Sequence, residues 1–255
     1  KFIILGCGSS MGVPRADGFF GKCNPKNKKN YRTRCSALIK TKSEIVLIDT
    51  SPDLRSQLIN NNIKSIDKVF YSHMHADQTH GINDLRVFFI KKKLPLPVYA
   101  DNPTKKYLMK TFKYCFVNNN KEYPATLKLN SINNKFHIKD GNKRISIRSI
   151  KVKHGKVNSI CYIIDKKLAY ISDVSDIRKK DFKYFKGLKY LIIDCLWIRN
   201  HPSHLHLEKS LKLIKEFKPK KAILTNLHSD LDYNKLLNIL PNNIKPAYDG
   251  MKLNI

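Results

Sequence analysis

An apolar strand pattern, Val69-Phe70-Tyr71, runs directly into Ser72-His73-Met74-His75-Ala76-Asp77-Gln78-Thr79-His80-Gly81. Three histidines and an aspartate within eight residues are not a packing pattern. Side chains alternate along an extended chain, so His73 and His75 point to one side and can chelate one ion. Asp77 falls where the strand pattern gives way to a helix pattern, and can reach a second ion. His80 lies one helical step further, where packing or support of a ligand is as natural as ligation. Imidazole nitrogen and carboxylate oxygen suit Zn, Mn or Fe alike. The expected cofactor is therefore one or two divalent metal ions.

The rest of the chain supplies a sheet for this strand end. Phe2–Leu5, Ser36–Lys40, Ile45–Asp49, Lys68–Ser72 and Pro97–Ala100 read as strands in the first half. Ile145–Val152, Ile160–Ile164, Leu168–Ser172, Leu191–Cys195 and Ala222–Asn226 do so in the second. β-Branched and aromatic residues dominate them. Helix patterns cover Pro52–Asn60, opening on Ser51-Pro52, then Gly81–Ile90 and Leu205–Phe217. The last carries Leu207, Leu211, Ile214 and Phe217 on one face and stops at Pro219. No long linker or short tandem repeat interrupts the pattern, so residues 1–255 read as a single α/β domain. Gly6-Cys7-Gly8-Ser9-Ser10-Met11-Gly12 lacks the spacing of a nucleotide loop and reads as a turn that brings backbone close to a site.

Composition narrows the class. Hydrophobic residues make up 42% and charged residues 27% of 255, as in a globular chain. No apolar run reaches the roughly 18–20 residues of a membrane span. The first residues, Lys1–Gly6, read as a strand and not a signal peptide, which with six cysteines in no CxxC pair points to a reduced, cytoplasmic setting. The net charge of +29 comes from 40 Lys and only 9 Arg, beside 23 Asn. Phosphate-reading surfaces lean on Arg as well as Lys, and these lysines are spread along the chain. The charge is thus read first as a solvated surface and only second as a nucleic-acid footprint. No membrane partner is expected, and a homodimer stays open.

His73-x-His75-x-Asp77, with Gly81, resembles the signature of the metallo-β-lactamase-fold hydrolases. Four further segments resemble that family's motifs in order: Leu47-Ile48-Asp49-Thr50, His154-Gly155, Ser172-Asp173, and the strand Ala222–Thr225 ending near His228. Gly6–Pro14, Arg34-Cys35-Ser36 and Gly81–Arg86 resemble the phosphodiesterase branch, which contains tRNase Z and phosphoribosyl 1,2-cyclic phosphate phosphodiesterase. His201-Pro202-Ser203-His204-Leu205 resembles that branch's late histidine motif. The resemblance implies an αββα sandwich of two mixed β-sheets flanked by helices, with metals at one edge.

It also implies roles. One ion falls to His73, His75 and His154, a second to Asp77 and His228, and Asp173 bridges them. A metal-activated water attacks phosphorus, Asp77 belongs to the catalytic group, and His204 is the expected general acid, with His201 and His206 as alternates that meet substrate. Asp49 is expected to orient a ligand histidine. Arg86 is read first as structural and second as a phosphate contact.

Two departures fall on the second ion. Gln78 stands where the family has histidine, and its amide oxygen is a weaker, uncharged donor. Asn226 stands at the family's last ligand place. His228, two residues on and so on the same face of an extended strand, is the preferred donor here. The early loop keeps only Cys23, so the structural zinc of the phosphonate-breakdown relatives is not expected. The implied substrate is a small phosphorylated molecule, a cyclic phosphate or nucleotide. Alternatives are RNA processing, thioester or lactone hydrolysis, and a non-catalytic ligand-binding relative.

Overall fold

The computed structural model describes residues 1–118 and 124–255; the part of the 118–123 loop expected to shape specificity that spans 119–123 lies outside them. The strands are β1 (Phe2–Gly6), β2 (Ser36–Lys40), β3 (Ile45–Ile48), β4 (Lys68–Phe70), β5 (Leu96–Ala100), β6 (Leu127–Ser131), β7 (Lys135–Asp140), β8 (Lys143–His154), β9 (Val157–Ile164), β10 (Leu168–Ile171), β11 (Tyr190–Asp194), β12 (Lys221–Thr225), β13 (Ile244–Pro246) and β14 (Met251–Leu253). The α-helices are α1 (Leu54–Asn60), α2 (Ala76–Thr79), α3 (Arg86–Lys92), α4 (Asn102–Thr111), α5 (Lys113–Phe116), α6 (Leu207–Phe217) and α7 (Tyr233–Ile239).

Two seven-stranded mixed sheets form, in the orders β14-β1-β2-β3-β4-β5-β6 and β13-β12-β11-β10-β9-β8-β7. Strand alternation sorts their apolar residues into three layers. Phe2, Ile4, Phe70, Tyr162, Tyr170 and Ile223 pack between the sheets. Leu5, Leu47, Val69 and Val98 meet Leu54, Phe88 and Leu108 of the helices outside the first sheet. Val152, Ile171, Ile193 and Leu224 meet Ile214, Phe217 and Leu236 outside the second. This is the expected αββα sandwich.

The layering also places the chemistry. β3, β4 and β5 run parallel, as do β10, β11 and β12. β8 is antiparallel to β9, which is antiparallel to β10, so β8 also points the same way as β10. Ligands bind beyond the carboxyl ends of parallel strands. Asp49, His73, His154, Asp173, Asp194 and Asn226 all sit at or just past such ends. The two sheets are tied together there. Ile160 N–H donates to Ser72 O (2.9 Å) and Leu227 N–H to Cys7 O (2.8 Å), while Tyr162 OH donates to Tyr71 O (2.7 Å).

Every expected strand is present, within three residues at each end. All three expected helices are shifted, the Leu205–Phe217 pattern becoming a helix only at Leu207. The Pro52–Asn60 pattern starts as a helix only at Leu54, because Ser51 Oγ accepts the Asp53 N–H in a preceding turn. The Gly81–Ile90 pattern divides into a 3-10 turn, Ile82–Leu85, and then α3. Gly81 is pinned to the β3 loop through its N–H to Thr50 O, so a regular first turn cannot form there.

A histidine and carboxylate centre at the sheet edge

The loop after β4 carries the first donors. Asp49 adopts a left-handed conformation (φ 63°) and its Oδ1 accepts the Ser72 N–H at 2.6 Å. Ser72 Oγ lies 3.0 Å from His73 Nδ1, which leaves His73 Nε2 facing inward. That nitrogen is 2.9 Å from His75 Nδ1, and His154 Nε2 is 3.3 Å from the same atom. His154 Nδ1 donates to the Ser203 carbonyl at 2.6 Å, so its Nε2 carries the lone pair. Two nitrogens on one zinc stand about 2.9 Å apart at a right angle and about 3.3 Å apart at the tetrahedral angle, given Zn–N near 2.05 Å. Both distances from His75 Nδ1 match nitrogens on one ion, and the donor nitrogens of the three histidines lie within 4.8 Å of one another.

Burial supports that use. It lowers the His73 pKa to about 3 and those of His75 and His154 below the usual imidazole range, so their nitrogens are neutral donors at neutral pH. Asp173 is buried, which alone would raise its pKa, but His73, His154 and His204 around it hold the carboxylate below the ordinary value. One Asp173 oxygen, one His154 nitrogen and one His204 nitrogen all lie within 4.8 Å of one another. Asp77 is raised to about 6 by burial and by the Asp173 charge.

The two departures from the family pattern meet at these carboxylates. Gln78 Nε2 donates to Asp77 Oδ2 (3.1 Å) and Asp173 Oδ2 (3.4 Å). Its Oε1 is buried with no hydrogen-bond partner. An unpartnered buried amide oxygen is costly and fits a cation beside it. Asn226 Nδ2 donates to Ser172 O (2.9 Å) and Asp173 Oδ1 (3.3 Å), and lies 3.2 Å from His204 Nδ1. The donor set thus fits one divalent ion on the three histidines with Asp173 beside them, and Asp77, Asp173 and Gln78 Oε1 offer oxygens to a second, while Asn226 turns its Nδ2 to Asp173 as a hydrogen-bond donor.

His228 is a correction. β12 ends at Thr225 and Asn226 turns left-handed (φ 61°), which breaks the alternation that would have put residues 226 and 228 on one face. Its ring packs on Trp197 (5.1 Å between centroids), with Asp230 N–H on its Nδ1 at 3.2 Å. His80 also lies apart, with Nε2 2.8 Å from Tyr107 OH and its ring against Phe112. Arg86 is exposed on α3 and lines a cleft with Arg55, Leu58 and Val87, a cleft that none of the clustered histidines lines. No ion pair joins Asp84 and Arg86 among the described residues.

The late histidines separate. His204 Nδ1 lies 2.7 Å from Asp194 Oδ2, and its ring is 4.6 Å from that of His154. Burial opposes the charged imidazole, but the Asp194 carboxylate outweighs it and raises His204 to about 9. Asp194, fully buried, rises to about 7. His201 stands beside His204 at 5.2 Å between rings, and its Nδ1 accepts Ser203 N–H (3.3 Å). His206 instead caps the backbone start of α6 and lines a cleft with Lys179 and Lys212. Asp194 is the residue that sequence reading missed. Its signal was a lone carboxylate ending an apolar strand, as at Asp49 and Asp173.

Two stacked mixed sheets with this centre on their common edge define the metallo-β-lactamase fold, a fold of metal-dependent hydrolases. The beta-lactamase superfamily domain matches residues 44–226, and the chain belongs to that family. It is similar to the crystal structure of a diphosphatase from the PhnP family, with a TM-score of 0.89 and 29% identity over 99% of this chain and 95% of that one. It is 31% identical to the octanoyltransferase of Porphyromonas gingivalis over 99% of its own length, but spans about half, 51%, of that curated relative. The short form of human tRNase Z shares the fold at a TM-score of 0.67 and 15% identity, over 98% of this chain and 97% of that one. No helix among the described residues is long and apolar enough to cross a membrane.

Proposed function

We propose that the chain is a metal-dependent hydrolase of phosphoric diesters or diphosphates carried on a small molecule. The observation behind it is the pairing of the three histidine nitrogens with His204 beside them, its ring 4.6 Å from that of His154 and a nitrogen within 4.8 Å of Asp173. His73, His75, His154 and Asp173 would hold one ion and Asp77, Asp173 and Gln78 a second, with Asn226 orienting Asp173 through its Nδ2. When bound, such ions supply an activated water and neutralise charge that builds on the phosphoryl oxygens. His204, with Nδ1 held by Asp194, presents Nε2–H to the leaving oxygen and donates its proton there. His201, its ring 5.2 Å from that of His204, would hydrogen-bond a non-bridging oxygen. Asp49 and Ser72 act through His73 by fixing its ring. The likeness to a diphosphatase at 29% identity supports a phosphoryl group as the reacting centre.

The test is metal content per chain together with hydrolysis of bis-p-nitrophenyl phosphate in added Mn²⁺ or Zn²⁺. Bound metal and turnover, both lost in His75→Ala, are expected. Metal-loaded protein with no turnover of any phosphodiester or diphosphate would sink the reading. A second reading, RNA processing, draws on charge: clefts of about 380 and 820 Å³ beside His201 and His206 share Lys209 and are lined by Lys153, Lys179, Lys186 and Lys212. It calls for RNA binding that weakens steeply with salt.

A further inference from the structure

The chain has one tryptophan, Trp197, and it lies in the loop that leaves β11. Its indole is held in place. Nε1 donates to Asp230 Oδ2 at 2.7 Å, and the ring lies beside the His228 imidazole, tilted by 36° with 5.1 Å between centroids. The two loops are also joined by backbone, with His228 N–H donating to Leu196 O at 3.1 Å. The pair stays partly open to solvent: the His228 side chain is 22% exposed, and Ile198 next to Trp197 is 55% exposed. His228 Nδ1 accepts the Asp230 N–H, which leaves Nε2 free. The Arg199 guanidinium lies 5.9 Å from the indole centroid.

The pair is next to the catalytic centre by chain geometry alone. His228 is two residues from Asn226, which touches Asp173, and Trp197 is three from Asp194, which holds His204. At most about 3.6 Å per residue separates these Cα atoms, so the offsets are within about 7 and 11 Å, the length of a nucleoside. A fixed, half-open indole with a second ring at its side and a guanidinium above is the arrangement that stacks a planar heteroaromatic group.

We propose that Trp197 and His228 form a stacking platform for a nucleobase of the substrate, with its phosphate ester on the histidine and carboxylate centre. This rests on the phosphate-ester reading and adds that the ester is a nucleotide. His228, displaced from the metal set, thereby has a role in recognising substrate. Aromatic rings accept any base, so the platform selects nucleotides over sugar phosphates and not one base over another.

Because Trp197 is the sole tryptophan, the fluorescence of the whole protein reports on the platform directly. Adenosine 5′-monophosphate and ribose 5-phosphate are titrated separately, with and without chelator, and N-acetyltryptophanamide corrects for absorbance. A saturable change with the nucleotide, absent or at least fivefold weaker with the sugar phosphate, is expected. His228→Ala weakens the nucleotide by about tenfold, the loss of one stacked contact, and His228→Phe restores most of it. No saturable change up to millimolar nucleotide, an equal response to ribose 5-phosphate, or unaltered affinity in His228→Ala overturns the platform. A structural role for the Trp197 and His228 contact would leave the titrations flat. Turnover of bis-p-nitrophenyl phosphate is read separately: activity with flat titrations discards the platform alone, and nucleotide binding without turnover of any phosphate ester discards the hydrolase reading alone.

Discussion

At the residue scale, the centre turns on which atoms have partners. Gln78 Oε1 has none, while its Nε2 is shared between two carboxylates. Gln78→His replaces a neutral amide oxygen with a nitrogen donor. The expected outcome is a second ion held at least tenfold more tightly, read by calorimetric metal titration, with the first ion unchanged. His204 gives a pH prediction. A general acid works while protonated, so activity is present below its pKa and lost as pH rises through it. Asp194 raises that pKa, so Asp194→Asn lowers it and moves the alkaline limb of the pH–rate profile to lower pH. The acid limb stays with the carboxylates. An unmoved alkaline limb would remove His204 from the acid role.

At the scale of elements, short loops bring strand ends within bonding distance, and glycine permits it. A Cβ on Gly81 would lie 2.0 Å from Ser51 O, a backbone atom that cannot swing away. The Gly81 N–H to Thr50 O bond, 2.9 Å, closes α2 and its Asp77 and Gln78 onto the β3 loop. Gly81→Ala therefore pushes α2 off that loop. It should cost about 1–3 kcal/mol of stability in urea unfolding and weaken metal binding as well. Loss of stability with unchanged metal affinity would mean that α2 position does not govern the ligands. Gly155 plays a similar part on the other sheet. It is left-handed (φ 57°), and a Cβ there would meet Ser203, whose carbonyl fixes His154.

At the scale of the whole molecule, the donors of one centre come from both sheets, so binding of an ion is coupled to the sandwich itself. An ion that binds only the folded chain adds about 4 kcal/mol at a thousand times its dissociation constant. For a chain of this size that is roughly 8–16 °C in melting temperature. Chelation should lower the melting temperature by this order, and Zn²⁺ or Mn²⁺ should restore it. In His75→Ala the chelator should make little difference. The +29 charge acts at this scale too: it attracts anions in general from solution, an effect that salt weakens.

The sequence by itself determined the strand pattern, the histidine segment and the order of the later motifs. These are local facts, since alternation and residue type need no partner. It left out α4, despite the Asp101 cap on Thr104 N–H, and α7 with its Asp232 cap. It could not show β14, a three-residue strand that exists because β1 is beside it. Within the centre, the three clustered histidines were legible because one short segment and a His-Gly step carry them. Asp194 was not, because its role is defined by a residue ten positions away. The choice between Asn226 and His228 was decided only by tertiary structure. Extended alternation favoured the histidine, but the chain leaves β12 in a left-handed turn that aims asparagine at Asp173 and histidine at Trp197. A single backbone dihedral, fixed by packing of the loops around it, reverses what periodicity alone implies.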